Sequence, residues 1–115
     1  MTEHDETVYI KHMLDAVASI ENYVDGVNYN GFRESPLLQN ALAYQIQIIG
    51  EAASRLTTQT KLAFPNVPWA EIVGMRHKIV HEYFALRLDV IWLTATRDVQ
   101  QLRVTLQEVL TQLES

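Results

Sequence analysis

Apolar residues recur every three or four positions along most of this chain, and nowhere do they show the strict alternation that a half-buried strand needs. In the first segment, from about Thr2 to Val24, the stripe is Ile10, Leu14, Val17, Ile20 and Val24; Thr2 or Asp5 offers a cap, and Gly26 a stop. The stretch DGVNYNGFRES reads as a loop. Ser35 followed by Pro36 starts a second helix, whose buried face is Leu38, Leu42, Ile46, Ile49, Ala53 and Leu56. The two prolines of TTQTKLAFPNVP mark a connector, and Pro68 opens a third helix through Trp69, Ile72, Val73, Ile79 and Val80. Gly74 lies inside that helix and weakens it by about 1 kcal/mol relative to alanine. Asp89 is placed to cap a last helix carrying Ala95, Val99, Leu102, Leu106, Val109 and Leu113. The pattern predicts an all-α, up-and-down bundle of four main helices, with room for short helical turns between them.

A chain of 115 residues, 48% hydrophobic and 20% charged, can bury one core, so a single domain spanning 1–115 is expected. It has no cysteine, which excludes disulfides, thiolate metal sites and cysteine nucleophiles and fits a cytoplasmic location. The first residues, MTEHDETVYIKHM, lack the basic-then-apolar order of a secretion signal, and no apolar run approaches the roughly 18 residues of a membrane span. A formal net charge of −5 argues against indiscriminate nucleic-acid binding but leaves room for a local basic site. The second and last helices carry apolar residues beyond their main stripes, at Ile48, Trp92 and Val104, and such surplus predicts self-association.

The chemically rich residues are concentrated in one stretch, GMRHKIVHEYF, residues 74–84. His77 and His81 have the i,i+4 spacing of a two-histidine metal site, but Glu82 follows the second histidine instead of standing between the two, and no third ligand is evident. Taken singly, Arg76, Glu82 and Tyr83 could be a surface charge pair and a ring closing the core. Taken together, they match the needs of phosphodiester cleavage without a metal. Arginine presents a planar fork to phosphate oxygens, and histidine moves the proton of a ribose 2′-hydroxyl or of the leaving oxygen. On an ideal helix His81 lies about 140° round from Arg76, while Tyr83 shares the Arg76 face. Either the arginine reaches around, or a second copy supplies half of the site.

The arginine, a polar residue, three further positions and a histidine (Arg76, His77, Lys78-Ile79-Val80, His81) resemble the signature of HEPN domains. With Tyr83 two residues beyond the histidine, the stretch is similar to the more specific form of the HepT toxins. Tyr44 to Leu56 (YQIQIIGEAASRL), Val67 to Arg76 (VPWAEIVGMR) and Leu88 to Trp92 also resemble landmarks of that family, so the likeness runs from about Tyr9 to Leu113. One departure stands at His77, where asparagine is commoner.

The resemblance implies a HEPN-type bundle and a homodimeric, metal-independent endoribonuclease, with a composite site where two motif helices meet. It implies Arg76 and His81 as catalytic residues, His77 in support, and Lys78 and Arg87 as contacts to RNA. It also implies a toxin of a type VII-like toxin–antitoxin module, with no cofactor of its own. The antitoxin would be an MntA-type nucleotidyltransferase that spends ATP to adenylylate Tyr83, placing an anion where RNA phosphate must bind. The alternative is a non-catalytic HEPN module that binds nucleotides or scaffolds a nucleotidyltransferase. Intact Arg76 and His81 speak against it. A plain helical dimerisation domain leaves the whole stretch unexplained.

Overall fold

A computed structural model of the chain describes residues 6–81 and 87–115, with the side chains of 75 and 78–81 outside that description. Among the described residues there is no strand, and the helices are α1 (Thr7–Val24), α2 (Tyr29–Arg33), α3 (Pro36–Ser54), α4 (Thr58–Ala63), α5 (Trp69–His81), α6 (Leu88–Leu93) and α7 (Val99–Glu114). A π-helical segment, Thr94–Asp98, joins α6 to α7, so the last main helix is one rod with a single wide turn. Inside that turn the Thr96 hydroxyl donates to the Trp92 carbonyl at 2.7 Å, the kind of side-chain bond that bends helices.

Local chemistry sets most boundaries. Ser35 Oγ accepts from the Leu38 amide at 3.1 Å and Pro36 takes the first turn of α3. Past the end of α1, Gly26 has φ 74°, a conformation glycine adopts without a Cβ penalty. The stretches 25–35 and 57–68 depart from the loop and connector expected of them. Each contains a short helix because each has a cap: Asn28 Oδ1 accepts from the Gly31 amide at 2.8 Å, and Thr57 Oγ1 accepts from the Thr60 amide at 3.1 Å. Asp89 does not cap the last helix. Arg87 stands at the cap position, and Asp89 lies in the first turn with its carboxylate bound to the Arg87 guanidinium. The other caps suggested for α1, Thr2 and Asp5, lie outside the described residues.

α3 runs through the middle, packing on α1 along one side and on α5 along the other, and α7 covers the remaining face of α1. Ile10, Met13, Val17 and Ile20 of α1 meet Leu42, Ile46, Ile49 and Ala53 of α3, and Leu106 and Val109 of α7 complete the core. Two ion pairs set the direction of α7. Lys11, early in α1, reaches Glu114 at 3.3 Å, and Glu21, late in α1, reaches Arg103 at 3.0 Å, so the two helices are antiparallel. The start of α1 is tied to α4: the Glu6 carboxylate accepts from the Thr57 amide at 2.7 Å and from the hydroxyls of Thr57 and Thr60.

Part of the expected surplus apolar surface is used within the chain. Trp92 packs on Phe32 (ring centroids 5.1 Å apart) and on Tyr29 (6.1 Å), so α2 covers it. Ile46 and Ile49 are core residues, whereas Val104 and Tyr44 remain 53% and 61% exposed and available to a partner. Among the described residues no helix is long and apolar enough to cross a membrane.

Candidate active site

α5 continues unbroken through Gly74 and carries Arg76, His77 and the backbone of His81 in one helix. Its position is set by a glycine on its neighbour. A Cβ placed on Gly50 of α3 would overlap the Arg76 Cβ and stand 3.1 Å from the Ile72 carbonyl oxygen. Glycine inside a helix costs roughly 0.5–1 kcal/mol relative to alanine. Here it lets the backbones of α3 and α5 touch, which places the root of Arg76 directly on α3.

From that root the Arg76 side chain meets the next residue of α3. Arg76 Nε lies 3.3 Å from Glu51 Oε1, close enough for an ion pair, although it is not aligned as a hydrogen bond. Nε itself is buried, yet the side chain as a whole is 37% exposed. With Nε buried, that exposure belongs to other atoms of the side chain. A guanidinium held by Nε keeps its terminal Nη fork for a bidentate anion. The other oxygen of the same carboxylate, Glu51 Oε2, accepts from Arg55 Nη2 at 3.2 Å. One carboxylate thus stands between two guanidiniums.

The expected site residues are distributed as follows. Arg76 lies against α3 and His77 is exposed on α5. The side chains of Lys78 and His81, and the whole of Tyr83, lie outside the described residues. Arg87 is engaged in a way the sequence reading missed: its Nη2 and Nε donate to the two Asp89 oxygens at 2.9 and 3.3 Å. The hydrogen bonds from Arg87 hold the Asp89 carboxyl below its usual range, and those to Asp89 raise the Arg87 guanidinium above its own. A phosphate would have to compete with that carboxylate for Arg87. Among the described residues no three His, Cys, Asp or Glu side chains are grouped to hold a metal. Gly50, Glu51 and Arg55 were not foreseen as site residues. The i,i+4 spacing of Glu51 and Arg55 is visible in sequence, but that α5 crosses at Gly50 is not.

The family model for HepT-like ribonucleases matches residues 13–109, a span that contains Gly50, Glu51, Arg76 and His81. The chain belongs to the HepT-like ribonuclease family. A candidate RNase of Caldanaerobacter subterraneus is 33% identical over 102 residues, covering 89% of this chain and 91% of that protein. A candidate ribonuclease HepT of Thermococcus cleftensis is 30% identical over 95 residues, 83% of this chain and 86% of its own. A candidate RNase of Methanocaldococcus jannaschii is 27% identical over 103 residues, covering 90% and 94%. No solved structure matches the chain.

Proposed function

We propose that this HepT-like chain is a metal-independent endoribonuclease and the toxin of a toxin–antitoxin pair. The observation that carries the reading is the mounting of Arg76, rooted against Gly50 and held through Nε by Glu51 on the helix that also bears His81. In the reaction the ribose 2′-oxygen attacks the adjacent phosphorus and the 5′-oxygen leaves, giving a 2′,3′-cyclic phosphate and a 5′-hydroxyl. Arg76 neutralises charge that grows on the phosphate oxygens, and His81 moves the protons, taking one from the 2′-hydroxyl or giving one to the 5′-oxygen. His77 supports by hydrogen bonding, and Lys78 adds charge along the strand.

Arg76 and His81 lie about 140° apart around one ideal helix, which favours a composite cleft in which two copies each contribute to the pair. Val104, 53% exposed on α7, leaves apolar surface for such an association. Neutralisation is assigned to a nucleotidyltransferase partner: the Tyr83 phenolic oxygen attacks the α-phosphorus of ATP, pyrophosphate leaves, and the attached AMP brings its own phosphate to compete for Arg76.

The test is cleavage of single-stranded RNA by the purified chain in excess EDTA, with product ends identified and mass measured by light scattering. Cyclic phosphate ends made by a species of twice 13.2 kDa are expected. Activity lost to the chelator and restored by a divalent cation would overturn the metal-free mechanism, and a fully active monomer the composite site.

A further inference from the structure

Beside the Arg76 site, α1 and α3 leave a groove of about 420 Å³, within the range of roughly 300–1,000 Å³ that small-molecule sites occupy. Its walls include Tyr9, His12, Tyr44, Gln47, Glu51 and Arg55. Glu51 belongs at once to this groove and to Arg76, since one of its oxygens faces each guanidinium. The groove is therefore joined to the proposed catalytic arginine through a single side chain.

We infer that this groove is a nucleotide subsite, which takes the residue of a single RNA strand next to the bond that is cut. The inference rests on the ribonuclease reading above and extends it to groups that reading does not use. Arg55 stands just past the last residue of α3, with 58% of its side chain exposed and only Nη2 committed to Glu51. Its remaining N–H groups are donors that can take an anion. A strand lying across both arginines sets one phosphate on each. Glu51 lowers the repulsion between the two cations while the strand is absent, so both can be held ready.

The sugar and base between those phosphates fall in the groove. Tyr44 is 61% exposed, a costly position for a ring that nothing covers, and suited to a ring on which a base stacks. Gln47, half-buried on the same wall, presents both a donor and an acceptor to a base edge. Stacking on an aromatic together with a guanidinium beside the backbone is the usual chemistry by which unpaired RNA is held. A second copy of the chain is the rival occupant, because Tyr44 is also apolar surface. The two arginines tied to one carboxylate favour the anionic strand.

The experiment uses a fluorescent single-stranded oligonucleotide with every 2′-hydroxyl methylated, which binds but has no nucleophile for cleavage. Its affinity for the whole chain is followed by anisotropy across a salt series. Arg55→Ala is expected to make the log–log salt slope shallower by about 0.7, the value for one phosphate contact on a single strand. Tyr44→Ala should bind about 5- to 150-fold more weakly, the worth of one stacked base, and Tyr44→Phe should bind as the parent does. Arg33→Ala removes an exposed cation outside the groove and should leave both affinity and slope unchanged. Parental affinity and slope in Arg55→Ala and Tyr44→Ala, with cleavage by the parent intact, would overturn the subsite alone. A fall in mass of either variant to that of a monomer would assign the groove to a second copy and overturn it too. A parent that neither binds the oligonucleotide nor cuts RNA would instead bring down the ribonuclease reading.

Discussion

Gly50 and Arg76 occupy one another's space: the arginine Cβ sits where any side chain at position 50 would begin. The contact joins packing to chemistry, because it fixes both the spacing of α3 and α5 and the starting point of the proposed catalytic side chain. Gly50→Ala therefore forces α5 outward or abandons the crossing, and overpacking of this kind costs about 1–3 kcal/mol. Its melting temperature should fall and RNA cleavage should fall with it. Gly74→Ala should do the reverse. Nothing lies within 4 Å of a Cβ at Gly74, so the change removes backbone freedom from the unfolded chain without a clash and should stabilise by about 0.5–1 kcal/mol. Thermal melts of the two variants side by side check both signs; a stabilised Gly50→Ala would refute the close crossing.

Arg76→Ala and His81→Ala should each abolish RNA cleavage with little change in helicity. Arg76→Lys should fail as well, since an ammonium on a flexible stem cannot hold phosphate with two parallel hydrogen bonds. Arg76→Ala also releases Glu51, whose carboxylate then pairs with Arg55 alone. That carboxylate is 45% exposed and stays hydrated, so the cost in stability should be about 1 kcal/mol or less. Gel assays of RNA cleavage, with circular dichroism as the folding control, decide the matter. A variant that cuts at the parental rate would move the site elsewhere.

Tyr83→Phe separates regulation from catalysis. The ring is kept and only the phenolic oxygen is lost, so the variant should fold, dimerise and cut RNA. When co-expressed with an active nucleotidyltransferase partner it should remain toxic, because the proposed acceptor of the adenylyl group is gone. Mass spectrometry of the co-expressed parent should place one adenylyl group or more on the peptide containing Tyr83. An unmodified Tyr83 in a neutralised complex would mean that the partner simply covers the cleft.

The Glu6 tie predicts a purely structural effect. Its carboxylate satisfies the Thr57 amide at the start of α4 as well as two hydroxyls. Glu6→Ala leaves those donors to water and should destabilise by about 1–2 kcal/mol, lowering the melting temperature by roughly 4 °C or more. RNA cleavage per folded molecule should not change, which a melt and a rate measured on the same sample will show.

The helices and their order were legible because the signals that specify them are local. Spacing by three and four writes the buried face of each helix into neighbouring residues, Ser35-Pro36 declares a start, and Gly26 declares a stop that its positive φ requires. Two short helices, allowed for only as unplaced turns, form where caps at Asn28 and Thr57 stand among residues that otherwise favour turns. Asp89 was misread as a cap because its spacing suits capping equally well, and its partner, Arg87, won the carboxylate. The resemblance carried in GMRHKIVHEYF was likewise local, a fixed order of side chains along eleven residues.

What holds Arg76 was not legible, because its parts lie about 25 positions away in the chain. Gly50 has no side chain by which to announce a crossing, and Glu51 followed by Arg55 looks like any exposed helical ion pair until a second arginine arrives on another helix. Trp92 looked like surplus surface until α2 folded over it. Sequence by itself determined which faces are apolar and where the backbone turns, since those depend on neighbours one helical turn away or nearer. Only the tertiary structure decided which backbones may touch and which charges share a partner, since these depend on how helices distant in sequence pack, and close packing selects a single arrangement.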